Sequence, residues 1–206
     1  MALITGAARG QGRSHALALA REGADIVACD LCEPLASVPY PLGSREELDR
    51  TARMVEGLGR RAVAQKADVR SLEQVRAVVE RGISELGRID VVCANAGVIS
   101  YAPAWEITAE QWRETLETNL TGAWHTCKAA IPHMIERGGG GSIILTGSTA
   151  AVVGFENLAH YAASKHGLVG LMKTLANELA PHGIRVNVVH PTSVDTAMTH
   201  NEATYR

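Results

Sequence analysis

A doubly wound parallel α/β sheet is the architecture this sequence predicts, and three observations predict it. Six short runs rich in valine, isoleucine and leucine recur at nearly regular intervals, too apolar to alternate between a core face and a wet face. Amphipathic stretches of helical length lie between them, the alternation that a parallel sheet with right-handed crossovers requires. The first run leads at once into "TGAARGQG", a glycine-rich turn that opens a helix.

In chain order the strands are "ALIT" 2–5, "DIVACD" 25–30, "RAVAQKADV" 61–69, "DVVCANAG" 90–97, "SIILTGS" 142–148 and "IRVNVVH" 184–190. Helices are expected over 10–22, 44–58, 71–86, 109–137 and 157–181, several with charges spaced along one side. "RGGGGS" 137–142 reads as a flexible turn into the fifth strand. One connection does not fit the rhythm. Residues 31–43, between the second strand and its helix, hold three prolines, one glycine, one charge and no hydrophobic period. A structureless connection beyond about 12 residues is commonly a functional lid or a disordered insert.

With 206 residues and 46% hydrophobic composition the chain can bury one core, so a single domain over 1–206 is expected. A formal charge of −2 and a pI near 6.4 leave no basic footprint for nucleic acid. No apolar run approaches the roughly 20 residues that span a bilayer, and "MALITGAARGQGR" lacks the form of a secretion signal, so a cytoplasmic protein is the default expectation. Of the four cysteines, Cys29 and Cys32 form a C-x-x-C. A redox pair would open a helix and a zinc site would need two more ligands at matching spacing; neither context is evident, and no metal site is expected. Cys93 and Cys127 sit in apolar surroundings and read as small core residues.

The residues with chemistry cluster at strand ends. Gly6, Gly10 and Gly12, with Arg9 and Gln11 between them, permit a tight turn and let backbone N–H groups meet a pyrophosphate at a helix N-terminus. On its own such a loop can be an ordinary strand–helix turn. Asp30, followed by Leu31, closes the second strand where an acid can accept hydrogen bonds from an adenosine ribose; its charge would repel a 2′-phosphate, which points to NAD. Arg9 argues the other way, as a cation that could attract that phosphate. Asp68 and Val69, at the end of the third run, could meet adenine. Asn95, Ala96 and Gly97, at the end of the fourth, could let a cofactor lie close; either group could equally be a loop cap. Tyr161 and Lys165 in "YAASK" are four apart and share a helix face, where a cation lowers a phenol's pKa toward useful general acid/base range. Ser148 ends the fifth strand in "TGS" and could hold a substrate oxygen. A lone helical Tyr/Lys pair is more often a surface pair; beside a nucleotide loop the balance reverses.

In this order, "TGAARGQG", "NAG" 95–97, Asn119, Ser148 and the Y-x-x-x-K of Tyr161 and Lys165 resemble the short-chain dehydrogenase/reductase family over essentially the whole chain. The resemblance implies a Rossmann-type sheet of order 3-2-1-4-5-6, with Tyr161 as acid/base, Lys165 on the nicotinamide ribose, Ser148 orienting the carbonyl or alcohol, and Asn119 supporting a water relay to Lys165. "HPTSVDTAM" 190–198 takes the family's place over the nicotinamide amide, with Pro191, Val194 and Thr196 as contacts. Thr192 stands where the family commonly has glycine, which leaves the local backbone course open. Most family members are homotetramers, and the aliphatic side chains around Tyr161, from Ala162 to Leu175, would serve core and subunit face. The family continues beyond "NEATYR" with a substrate-binding segment and a seventh strand, absent from this chain; a C-terminally incomplete domain is the expectation.

"GAARGQGRSHA" together with the proline-containing insert resembles the carveol-dehydrogenase-like, mycofactocin-coupled subgroup. That likeness implies NAD held through turnover and electrons passed to mycofactocin. Two alternatives stand beside it: a conventional family member with exchanging NAD(H), and a nucleotide-binding sensor that does not catalyse. The insert itself has a bland alternative, a flexible surface loop of small entropic cost.

Overall fold

In the computed structural model, residues 1–202 are described; the last four residues of "NEATYR" lie outside the described residues. Six strands form one parallel sheet: β1 (Ala2–Thr5), β2 (Ile26–Asp30), β3 (Ala62–Lys66), β4 (Val91–Ala94), β5 (Gly141–Thr146) and β6 (Ile184–Val189). Their order is β3-β2-β1-β4-β5-β6, as the resemblance implied. The strand order reverses at β1/β4, and crevices at such a switch point are where open α/β sheets bind ligands.

Period-two geometry explains why the strands are apolar throughout. Leu3, Val27, Val63, Ile143 and Leu145 face one side and pack against α3 (Leu72–Leu86) and α5 (Gly122–Glu136), together with α6 (Ala159–Leu179). Their neighbours Ala2, Ile4, Ile26 and Ala28 face the other, against α1 (Gly10–Arg21) and α2 (Arg45–Glu56). Both faces are therefore dry. Cys93 and Cys127 are buried core residues, as expected. Cys29 is also buried and Cys32 half-buried; burial pushes both thiols up, Cys32 to about 11, which disfavours the reactive thiolate.

The long helix expected over 109–137 is instead broken. Helix α4 (Ala109–Leu116), opened by a capping box of Thr108 and Gln111, passes into a π turn over Glu117–Thr121 before α5 begins. One extra residue in a helix rotates the turns beyond it, and here the displaced turn carries Asn119. The last helix also ends earlier than expected, its final residues tightening into a 3-10 turn at Ala180–His182. Gly138, Gly139 and Gly140 all take positive φ in the turn before β5.

The insert between β2 and α2 has neither helix nor strand. It begins with Cys32 in the left-handed region (φ 56), stabilised by an Asx-type hydrogen bond from its N–H to Asp30 Oδ1 at 3.2 Å. It ends in a reciprocal capping box, in which Ser44 Oγ accepts from Glu47 N–H and Glu47 accepts from Ser44 N–H. Among the described residues, no helix is long and apolar enough to cross a membrane.

Candidate functional site

Two adjoining cavities, of about 270 and 510 Å³, run along the carboxyl edge of the sheet and share Gln11, Asn95, Gly97, Thr196 and Met198 as common wall. The first is the glycine-loop end. Gly6 sits there at φ 66, and Gly12 lies so close to the preceding turn that a Cβ would be 2.0 Å from Gly6 O. Only glycine fits at either place. Helix α1 is preceded by Arg9 at its N-cap position, with no side-chain cap and no acid in its first turn, so its first N–H groups are left available to an anion at the cavity. The loop is braced from behind: Arg13 donates to Thr51 and to the carbonyls of Ala8 and Glu47, while Thr51 donates to Ala7 O at 2.9 Å.

Asp30 lines this cavity and does more than the sequence implied. Its Oδ2 accepts from Ala8 N–H at 3.0 Å and its Oδ1 from Cys32 N–H, so one carboxylate ties the glycine loop to the start of the insert. Burial pushes its pKa up, against the pull of those N–H groups and of Arg9. Arg9 also lines the cavity, 4.0 Å from Glu47. Gly10, Leu31, Asp68 and Val69 are on the wall too. The Asp68 carboxylate is engaged by the Arg70 guanidinium at 2.7 to 3.0 Å, so that its charge is already paired beside the cavity.

Asn95 is a tie between strand ends. It donates to Thr5 O at 3.0 Å and accepts from Thr146 Oγ1 at 3.3 Å, linking β1, β4 and β5, while Ala96 N–H reaches Thr5 Oγ1. Gly97 keeps open the space between Asn119 and Lys165, since a Cβ there would lie 3.3 Å from Asn119 Oδ1 and 3.4 Å from Lys165 Nζ. Asn119 itself is buried; its amide accepts from Val98 N–H at 2.8 Å and donates to Val98 O and Ser164 Oγ.

The second cavity brings together Ser148, Tyr161 and Lys165. Ser148 Oγ accepts from Ala150 N–H at 3.1 Å, and Ser148 and Tyr161 line the same cavity. Lys165 donates to Thr146 O at 2.7 Å, with Nζ 5.5 Å from the centroid of the Tyr161 ring. Fully buried, its ammonium is pushed down to about 8. Here one expectation needs correction: the phenol of Tyr161 lies above its ordinary value, because burial outweighs the opposing pull of Ser148. Pro191, Val194 and Thr196 line this cavity. Thr192 is accommodated, since the only positive-φ non-glycine residues described are Cys32 and Asn157. The rest of the wall mixes an apolar side, from Ile99, Ala150, Val153, Phe155 and Leu158, with the hydroxyl-bearing Tyr101, Thr149, Ser193 and Thr199.

Sequence reasoning missed the residues of the insert that reach into the groove. Leu35, Tyr40 and Leu42 line the first cavity, and a Cβ on Gly43 would be 2.7 Å from Ala8 Cβ. Tyr40 is buried; its hydroxyl accepts from Ile99 N–H at 3.2 Å and its ring packs in one cluster with Ile99, Ala150 and Tyr161. The only signal was an aromatic held between two prolines in "PYP".

A model of the short chain dehydrogenase family matches residues 1–206. The chain is 54% identical to a (-)-trans-carveol dehydrogenase of Rhodococcus erythropolis, an alignment that covers 100% of this chain and 75% of that protein. Its fold superposes on carveol dehydrogenase from Mycobacterium avium in complex with NAD with a TM-score of 0.98, at 48% identity, over 100% of this chain and 74% of that one. A short chain dehydrogenase from Mycobacterium paratuberculosis bound to NAD gives 0.96 at 46% identity, covering 99% of this chain and 76% of the other. With an uncapped helix N-terminus, an acid on the wall of the glycine-loop cavity and a serine, tyrosine and lysine meeting in one groove, the chain belongs to the short-chain dehydrogenase/reductase family, as an NAD-dependent alcohol oxidoreductase of its carveol-dehydrogenase-like group.

Proposed function

We propose that the protein oxidises a secondary alcohol of terpenoid type to the ketone, keeps its NAD through turnover, and passes the electrons to mycofactocin. The carrying observation is the insert, which is packed over the glycine-loop cavity through Leu35, Tyr40 and Leu42 and anchored at Ile99 beside the catalytic cluster. A structured cover beside the adenosine slows release. The apolar side of the second cavity, Ile99, Val153, Phe155 and Leu158, beside the Ser148 and Tyr161 hydroxyls, suits a compact hydrocarbon body whose hydroxyl meets that pair.

In this reading the amides after Gly6, Gly10 and Gly12 hold the pyrophosphate, Asp30 the adenosine ribose, and Asp68 and Val69 the adenine edge. Lys165 holds the nicotinamide ribose, and Pro191, Val194 and Thr196 the carboxamide. When bound, NAD takes the hydride that leaves the carbinol carbon. Ser148 fixes the alcohol oxygen, its own lone pair already occupied by Ala150 N–H. Tyr161 takes the alcohol proton, and the desolvated Lys165 ammonium nearby lowers the cost of the phenolate that must exist first. Asn119 places Val98 and Ser164, and its Oδ1 faces the space by Lys165 where a relay water would stand. Trp112 and Trp124, 44% and 41% exposed on α4 and α5, supply apolar surface for the homotetramer we expect in a cytoplasmic setting.

The test is to denature the purified full-length protein without added nucleotide and measure what is released. Near-stoichiometric NAD, with alcohol oxidation that proceeds through a mycofactocin acceptor and not by free NAD exchange, is the expected result. An empty protein that turns over with exchanging NAD(H) removes the retention reading and leaves a conventional alcohol dehydrogenase.

A further inference from the structure

Helix α4 carries a carboxylate with no place on the wall of either cavity. Glu114 is 8% exposed, and its Oε2 accepts from the Ser37 backbone N–H at 3.1 Å and from the Ser37 hydroxyl. Its Oε1 lies 3.8 Å from Arg70, the same guanidinium that grips Asp68 on the wall of the adenosine cavity. A buried carboxylate costs free energy unless its lone pairs are filled. Glu114 is filled by two loops far away in sequence: the insert, and the segment that follows β3.

The insert depends on such outside contacts. Between Asp30 and Ser44 it has no regular structure, and its internal backbone bonding includes the Val38 N–H to Leu35 O contact at 3.2 Å. It is tied at its start by Asp30, in its middle by Glu114, and near its end by Tyr40 on the Ile99 amide. Asp30 and Tyr40 also line the cavity; Glu114 does not. Loss of the middle tie therefore loosens the cover without removing a wall.

We propose that Glu114 is a positioning residue, the latch that holds the insert closed over the adenosine half of NAD and so sets how fast the dinucleotide leaves. This rests on the reading of the groove as the NAD site. Hydrogen bonds to a charged group are strong among protein hydrogen bonds, and losing the pair to Ser37 corresponds to roughly a tenfold to hundredfold easier opening.

The experiment uses full-length protein loaded with NADH and chased with excess NAD, with NADH fluorescence as the readout. Glu114→Gln keeps an acceptor for Ser37 but loses its charge, and is expected to release NADH about tenfold faster than wild type; Glu114→Ala, with no acceptor, about a hundredfold faster. Hydride transfer in a single turnover of preloaded enzyme should stay within about twofold of wild type, and amide hydrogen exchange over 35–40 should quicken in both variants. Ser37→Ala added to Glu114→Ala should change nothing further, because the bond it removes is already gone. Wild-type release rates in a folded Glu114→Ala overturn the latch. Should that variant fail to fold, wild-type release in both Glu114→Gln and Ser37→Ala overturns it as well. If wild type binds no NADH, it is the groove reading that fails, and the two failures are thereby distinct.

Discussion

At the adenosine end of the groove the ligand-facing groups are mostly backbone, set by glycines on one short turn and by a helix that starts uncapped. At the chemical end they are side chains delivered by separate elements: Ser148 from the end of β5, Tyr161 and Lys165 from α6, Asn119 from a π turn. At the first end the titratable side chains are already engaged, Asp30 by two backbone N–H groups, Asp68 by Arg70 and Tyr40 by Ile99 N–H; the second holds a phenol, a hydroxyl and a desolvated ammonium within one cavity. Binding and chemistry are thus separable along one groove, and substitutions at one end should leave the other measurably intact.

The sharpest way to break that separation is at Tyr161. Tyr161→Phe keeps the ring packed against Tyr40 and Ile99 but removes the proton acceptor, so turnover should fall by about a thousandfold while NADH affinity stays near wild type. Equal loss of both would show that the two ends are one unit. A smaller effect probes the buried ammonium. Lys165 has a folded pKa of about 8 against an ordinary 10.5, so across that window the unfolded chain holds a proton that the folded chain has released. The burial cost is fully present below pH 8 and fades as pH rises. In ligand-free protein, Lys165→Met should therefore be more stable than wild type at pH 7, an advantage that shrinks by roughly 2 kcal/mol by pH 9.5. The buried thiols ionise in the unfolded chain of both proteins, so the difference between the two denaturation curves is the quantity to follow. The smallest effect is at the other end: Asp30→Asn removes the charge proposed to face the ribose, and the preference for NAD over NADP in kcat/KM should drop by about tenfold with kcat on NAD little changed. A collapse in melting temperature instead would assign Asp30 mainly to its structural tie between Ala8 and Cys32.

Legibility in the sequence followed the same division. The strands and the glycine loop were readable because strand burial and backbone sterics are local properties, whereas the strand order came through the family resemblance. Tyr161, Lys165 and Ser148 were readable as a group through their resemblance to a family and their joint order. The break in the helix at Glu117–Thr121 was not, since nothing in "ETNLT" disfavours a regular helix; the pull that opens it comes from Asn119 bonding Val98 and Ser164. The direction of the Tyr161 pKa was also beyond reach, because desolvation depends on what packs above the ring.

The sequence by itself determined the doubly wound sheet and the glycine loop, because each rests on a periodic pattern or a short motif whose physics lies within a few residues. It marked the insert only as too long and too rich in proline. That Tyr40 turns inward to Ile99, and that Ser37 finds the buried Glu114 across 77 residues of chain, was decided by the tertiary structure alone. Pairings at that separation depend on which surfaces the folded sheet and helices bring within hydrogen-bond reach, and no local pattern encodes that distance.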